Sequence, residues 1–327
     1  MIARIASHAL LAALLASLAA CGKAPPSSAG SPSASGKTAT PAAGSASAEE
    51  VAEEARGKLR CPAKIKMPAR ANAAPVDDVV GVRPGMSYDE ATNVVLCTHD
   101  LLVAQPDTSR RFNINTYGQT LRQGFSARFA EPRVQRTSKQ IMEDMQRDFM
   151  ARSNNAVRQD MKPGQSKWYV STMGTPGEER VIAVAREEWF EEGSNPTLDS
   201  VEQALLQKYG TPTRSTPTGQ GKQLTWAYDP FGRPITETSS LYNKCHGSAD
   251  PDGGTNFSPD CGIVVAAQVQ ALRENPGLSQ FLQVGVIDQA NGYEAITGTE
   301  QALQQLDEQR KAQELEAASK NAKKPKL

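Results

Sequence analysis

The stretch that decides the fold is Asn195 to Tyr228, NPTLDSVEQALLQKYGTPTRSTPTGQGKQLTWAY. Thr197 is a favourable N-cap residue, and the apolar residues that follow recur at helical spacing. Gly210 can adopt the left-handed conformation that ends a helix, and Pro212 prevents its continuation. Polar and apolar residues then alternate up to Tyr228, which is typical of a half-buried strand. This unit therefore predicts a helix, a Gly-Thr-Pro turn and an antiparallel strand.

An earlier stretch carries a similar helix start. Ser87 is a favourable N-cap for a helix over Tyr88 to Leu96, and Glu90 occupies the capping-box position. The preceding Gly85-Met86-Ser87 turn resembles the start of the repeat in the BamE (SmpA/OmlA) family of small outer-membrane lipoproteins. The Tyr209 to Pro212 turn and the strand after it resemble the other half of that repeat. The resemblance implies a helix pair packed on a three-stranded antiparallel sheet, and it transfers no functional residue.

Further elements alternate between helix and strand patterns. The predicted hairpins are 112–117 with 124–129 and 167–173 with 180–190; the predicted helices are 138–152 and 299–318; the predicted further strands are 262–270 and 283–288. A turn is predicted at Asn291-Gly292. The fold class is therefore α+β, with two small helix-on-antiparallel-sheet domains behind a signal peptide and a disordered tether.

The N-terminal segment has the features of an export signal. Arg4 precedes an apolar run that ends in small residues and is too short to span a bilayer. Leu18-Ala19-Ala20-Cys21 resembles a bacterial lipobox, which implies cleavage before Cys21, its modification with palmitate-like acyl chains and anchoring in a membrane. Gly22 rather than Asp follows the cysteine, which in Gram-negative lipoproteins favours the outer membrane with the protein facing the periplasm.

The predicted domain boundaries follow from these patterns. Residues 22–48 are almost wholly Ala, Ser, Gly, Pro and Thr, a composition that does not offset the entropy of folding. We therefore divide the chain into a signal peptide (1–20), a lipidated Cys with a flexible tether (21–58), a first α+β domain (59–192), a second α+β domain (193–298) and a helical extension with a basic tail (299–327). A short polar helix over 49–58 is an option within the tether.

Charge and cysteine content argue against a nucleic-acid-binding protein and for a protein of an oxidising compartment. The formal net charge is zero, with 36 basic and 36 acidic residues, so the sequence lacks the basic excess of a nucleic-acid binder. Setting Cys21 aside leaves an even number of cysteines, Cys61, Cys97, Cys245 and Cys261, as expected in an oxidising compartment. Three pairings are possible. We favour Cys61 with Cys97 and Cys245 with Cys261, because each pair then lies within one predicted domain.

Three groups of residues could bind a metal ion or catalyse a reaction. Cys245, His246 and Cys261 could ligate zinc, but no second closely spaced pair completes the set, and a disulfide is favoured. The oxygen-bearing residues Asp250, Asp252, Asn256 and Asp260 could hold Ca²⁺, but they miss the EF-hand spacing, and a solvated loop is favoured. The acidic residues of Glu187 to Glu192 could supply a glycosidase pair, or they could be solvated.

Aromatic residues offer a possible contact surface. Trp168, Trp189 and Trp226 lie on predicted strands, where large aromatic side chains most often fill the core. No catalytic motif or cofactor site is apparent. We therefore expect a non-enzymatic envelope-assembly or binding module with an envelope protein as partner. The alternatives are a cell-wall hydrolase using a Glu pair near Glu187–Glu192 and an inhibitor of a secreted enzyme.

Overall fold

In the part of the chain that the structure describes, eight strands form one continuous antiparallel sheet, and helices and a long insertion pack on its two faces. The computed structural model describes residues 45–108, 111–153 and 161–321, without the side chains of 147–153. The helices are α1 (Ala48–Arg56), α2 (Tyr88–Leu96), α3 (Ser138–Ser153), α4 (Leu198–Tyr209) and α5 (Gln289–Asn321). The strands are β1 (Leu102–Pro106), β2 (Gly124–Phe129), β3 (Ser166–Met173), β4 (Arg180–Trp189), β5 (Arg214–Thr218), β6 (Gly221–Ala227), β7 (Ile263–Ala271) and β8 (Ser279–Asp288).

The strand order joins the two halves of the chain. The sheet runs β1-β2-β3-β4-β8-β7-β6-β5, and β4 pairs with β8 from Ala183↔Ile287 to Trp189↔Phe281. Strands from both predicted domains therefore share one backbone hydrogen-bond network. The α+β class is confirmed. The layout of two separate domains, 59–192 and 193–298, is not confirmed, because no break in the sheet falls between them.

The helices begin where the sequence predicts a cap. The Ser200 backbone N–H donates to Thr197 Oγ1 at 3.1 Å, and Gly210 ends α4 with a φ of 81°. The Glu90 N–H likewise donates to Ser87 Oγ at the start of α2. The Glu90 carboxylate does not complete a capping box; it accepts from the backbone N–H groups of Lys66 and Met67 instead. This buried carboxylate thus fixes the segment before α2.

The main core lies on the sheet face that α2 and α4 cover. α2 packs over β1 to β4, and α4 packs over β7. The largest fully buried side chains on this face include Trp168, Phe125 and Trp226. These residues belong to one hydrophobic cluster that spans both halves of the chain. The free energy gained by burying apolar surface, about 25 cal/mol per Å², therefore stabilises both halves of the sheet together.

The opposite face is covered by the insertion between β6 and β7. Gly285 of β8 faces it, and a Cβ atom at this position would lie 2.4 Å from the carbonyl oxygen of Ser248. Only glycine permits the backbones to approach this closely. The Cys245–Cys261 disulfide, with an S–S distance of 2.03 Å, closes the insertion and packs against Val264 of β7.

Four elements differ from the sequence predictions. Residues 112–117 form no strand: Phe112 packs on Phe257 at 5.8 Å between ring centroids, and β2 pairs with β1 instead. β1 and β5 were not predicted. α5 begins at Gln289, so Asn291 and Gly292 lie in a helix rather than a turn. α1 corresponds to the short helix that the sequence offered at 49–58, and its buried Ala52 shows that it packs on the body, so this part of the predicted tether is folded.

We expect one cooperative unfolding transition, because the two halves share a sheet and a core. Hydrogen exchange of the amides in β2–β3 and in β6–β7 should report the same free energy of global unfolding. Val286→Ala, at a fully buried position of β8, should lower that free energy by about 2 kcal/mol in both regions together. Two transitions separated in urea, or a loss confined to one half, would contradict a shared core.

Candidate functional site

An open cavity of about 340 Å³ lies on the α2–α4 face of the sheet, over the β4–β8 pair. We call it the seam pocket, because α4 forms one wall and the turn before α2 forms another. Its floor is made by strands from the two halves of the chain. The lining residues are Val79, Val80, Arg186, Phe190, Pro196, Ser200, Val201, Ala204, Leu205, Lys208, Tyr209, Leu282 and Val284. This volume is near the lower end of ligand pockets, which span about 300–1,000 Å³.

One wall is a tight turn with an unusual backbone. Val79 and Val82 pair through two backbone hydrogen bonds of 2.9 and 3.0 Å. Between them, Val80 has a φ of 45° and Gly81 a φ of 84°. Positive φ at both central positions suits Asn or Gly, and a β-branched residue there is strained. The Val80 side chain is nevertheless 47% exposed and lines the pocket. Such strain is a feature of functional sites.

The second wall, α4, is held to that turn through Asp78. Tyr209 donates its hydroxyl hydrogen bond to the Asp78 carbonyl oxygen at 2.8 Å, and the Lys208 ammonium lies 2.8 Å from the Asp78 carboxylate. Burial opposes ionisation of Asp78, but hydrogen bonds from Lys208 and the Gly81 N–H outweigh it, so the pKa of Asp78 lies below its ordinary value. Burial, with the nearby Asp78 charge, raises the pKa of Tyr209. Both groups therefore keep their neutral-pH protonation states.

Arg186 is the polar group of the floor. Its side chain is 18% exposed, and its Nη1 donates to Glu188 Oε2 at 2.7 Å. The guanidinium carbon lies 5.4 Å from the centre of the Trp168 ring. The buried Arg186 Nε has no hydrogen-bond partner among the described residues. An unsatisfied buried donor of this kind costs about 1–3 kcal/mol.

Of the acidic residues in Glu187 to Glu192, the adjacent pair Glu187 and Glu188 does not come together. Glu187 and Glu188 are adjacent on β4, so their side chains point to opposite faces of the sheet. Glu187 is buried and accepts from Trp189 Nε1 at 2.6 Å and from Gln283 Nε2 at 2.8 Å. Glu188 instead bonds Arg186. The two carboxylates therefore cannot flank one glycosidic bond.

The acidic loop residues are engaged in protein contacts. Asp252 accepts from Lys167 Nζ at 2.6 Å, and Lys167 also lies 3.6 Å from Glu187. The Asp250 carboxylate accepts from the Asp252 N–H, which closes a turn. In residues 45–108, 111–153 and 161–321, no three His, Cys, Asp or Glu side chains cluster in a way that could hold a metal ion. The loop that includes Asp260 is thus a cover tied to β3.

The cysteines form the favoured pairs. Cys61 and Cys97 are bonded at an S–S distance of 2.05 Å, as are Cys245 and Cys261 at 2.03 Å. The second bond uses both sulfurs that the zinc alternative would need. Cys21 lies outside the described residues. No helix in the described part of the chain is long and apolar enough to cross a bilayer.

The tryptophans divide between core and surface. Trp168 and Trp226 are each 1% exposed, as the core interpretation predicted, whereas Trp189 is half-buried and stacks on Phe281 at 5.5 Å. The sequence patterns described above do not point to the seam pocket. The available signal was Arg186, a basic residue at a core-facing position of an apolar strand, VIAVAREEW.

Comparisons with protein-family models, with curated proteins and with solved structures give no match to this chain. The resemblance to the BamE family therefore rests on the short motifs at 85–87 and 209–228. The residues that line the seam pocket are therefore the evidence for what it binds.

Asp78→Asn should destabilise the protein in a pH-dependent way. At neutral pH we expect the free energy of unfolding to fall by about 1 kcal/mol, since hydrogen bonds to a partly exposed charge are lost. Because the folded-state pKa of Asp78 is depressed, wild type gains this stability above the unfolded pKa of about 3.9 and loses it as the pH falls further.

Urea titrations of wild type and Asp78→Asn across this pH range measure the difference. Glu192→Gln, which removes one negative charge from an exposed turn, is the matched control. A difference that stayed constant down to acid unfolding would contradict the assigned role of the Asp78 carboxylate.

Proposed function

We propose that this chain is a non-enzymatic binding module, held at the outer membrane by lipid on Cys21 and facing the periplasm. The seam pocket is the observation that carries the binding role. It is open and apolar, and it is built from residues that also support the fold. Its partner is a component of the envelope that presents an apolar group, including a protein partner of the kind that the BamE resemblance implies.

The sheet edges offer a poorer binding surface than the pocket. The two edge strands, β1 and β5, have five residues each, and each contains a proline, Pro106 or Pro217. Proline lacks the N–H that strand addition requires, and short edges limit the number of hydrogen bonds that a partner can form. An added strand is therefore disfavoured, and the pocket remains the best-formed recognition surface.

The membrane anchor is supported by the sequence and by the cysteine chemistry. The lipobox-like segment ending at Cys21 supplies the acylation site, and two disulfides suit an exported protein. For the hydrolase alternative, Glu187 and Glu188 lie on opposite faces of β4 and do not form an acid pair. No contact specific to the inhibitor alternative stands out in the described residues either.

The anchor is tested by growing cells that express the full chain with labelled palmitate. We expect the label on the wild-type chain and not on Cys21→Ser, and we expect only the variant to leave the membrane fraction in a salt wash, because more than one acyl chain is needed for stable anchoring. Ser28→Ala, in the same segment, is the matched control. An unlabelled wild-type chain would contradict the proposal.

The pocket is tested with the fluorescent apolar probe N-phenyl-1-naphthylamine. We expect saturable binding to the full Cys21→Ser chain, and at least a roughly tenfold loss in Ala204→Trp, because an indole on α4 would fill the cavity. Gln203→Trp places the same indole on the adjacent, exposed position of α4 outside the lining. Equal probe binding by both variants would remove the seam pocket as the binding site.

A further inference from the structure

Resting on the proposed binding role of the seam pocket, we propose that its ligand is a single hydrocarbon chain that ends in a free carboxylate. Arg186 is the residue that selects the carboxylate. The ligand class is therefore a free fatty acid. Three features support this assignment: the charge of the lining, the free edge of the Arg186 guanidinium and the size of the cavity.

The lining has cations and no acids. Arg186 and Lys208 both line the cavity, and no Asp or Glu does. Their carboxylate partners, Glu188 and Asp78, lie outside the lining. A ligand in the pocket therefore meets the positive member of each ion pair. This arrangement attracts an anion and disfavours a cation.

The Arg186 guanidinium has an edge suited to a carboxylate. Glu188 accepts from Nη1, whereas Nε and Nη2 form the side edge of the group. The Nε on that edge has no partner among the described residues and is closed to solvent, so a carboxylate reaches it when the Arg186 side chain turns toward the cavity. A carboxylate can accept from both nitrogens of one guanidinium edge, in the bidentate arrangement that arginine favours. A ligand carboxylate would thus satisfy the donor that the protein leaves unpaired.

The remaining lining suits one hydrocarbon chain. Val201 and Leu205 of α4 face Leu282 and Val284 of β8 across the cavity. The volume of about 340 Å³ is near the lower limit of ligand pockets. It therefore suits a single chain rather than the two chains of a phospholipid. Val80 stands at the edge of this space, where its strained backbone keeps an apolar side chain in contact with the ligand.

The experiment compares three amphiphiles with the same chain, dodecanoate, dodecanol and dodecyltrimethylammonium, by calorimetric titration of the full Cys21→Ser chain below their micelle concentrations. We expect dodecanoate to bind at least roughly tenfold more tightly than the other two. The double variant Arg186→Met with Glu188→Gln should reduce dodecanoate affinity by about tenfold and leave dodecanol within about twofold. Replacing Glu188 as well avoids an unpaired carboxylate beside the pocket.

Two further variants keep the result interpretable. Arg186→Lys retains the positive charge but removes the paired Nε and Nη2 donors. This variant should lose most of the preference for dodecanoate over dodecanol. Arg214→Met removes an arginine four strands away, about 19 Å by strand spacing, and should change nothing. Urea midpoints confirm that each variant is folded.

The outcomes separate this inference from the proposed function. Equal affinity for dodecanoate and dodecanol in wild type would overturn the carboxylate assignment and leave an apolar binding pocket. Tighter binding of the ammonium amphiphile would also overturn the assignment. If none of the three amphiphiles binds, the proposed ligand class and the proposed binding role of the pocket are both wrong.

Discussion

The antiparallel pairing of β4 with β8 is the interaction on which the rest of this structure depends. It joins strands from the two halves of the chain along seven residue pairs, Ala183↔Ile287 to Trp189↔Phe281. Each half contributes four strands and one cap-initiated helix to the same face, so neither half has a closed core without the other. A single free energy of unfolding therefore applies to both halves of the chain.

The same pairing creates the seam pocket. α2 covers the strands of the first half and α4 covers β7, so the space above β4 and β8 is flanked by helices but not filled by one. Two features around this space lower the stability of the fold. They are the positive φ of Val80 and the unsatisfied Nε of Arg186. Both features must be offset by stabilising contacts elsewhere in the fold. The Asp78 contacts with Lys208 and Tyr209 offset part of that cost by fixing the two walls.

The opposite face of the sheet has a different role. There the polar residues are paired: Lys167 with Asp252 and Glu187, and Glu187 with Gln283 and Trp189. Buried ion pairs add little net stability, but breaking one leaves a costly unpaired charge. The network therefore fixes where the insertion sits on β3 and β4. Asp252 and Glu187, which the sequence offered as a candidate ligand and a candidate catalyst, serve this covering layer instead.

The sequence by itself determined the local elements. The caps at Ser87 and Thr197, the stop at Gly210, the β3–β4 hairpin and the strands β7 and β8 follow from short-range chemistry, and the structure contains them. The favoured cysteine pairs are also present, although the two-domain layout on which that choice depended is not confirmed. Only the tertiary structure decided that both halves share one sheet, that β2 pairs with β1 rather than with residues 112–117, and that Arg186 faces a cavity. The physical reason is that strand partners and pockets depend on contacts between residues far apart in the chain, such as Arg186 with Val284. Periodicity and turn chemistry report only on neighbours along the chain.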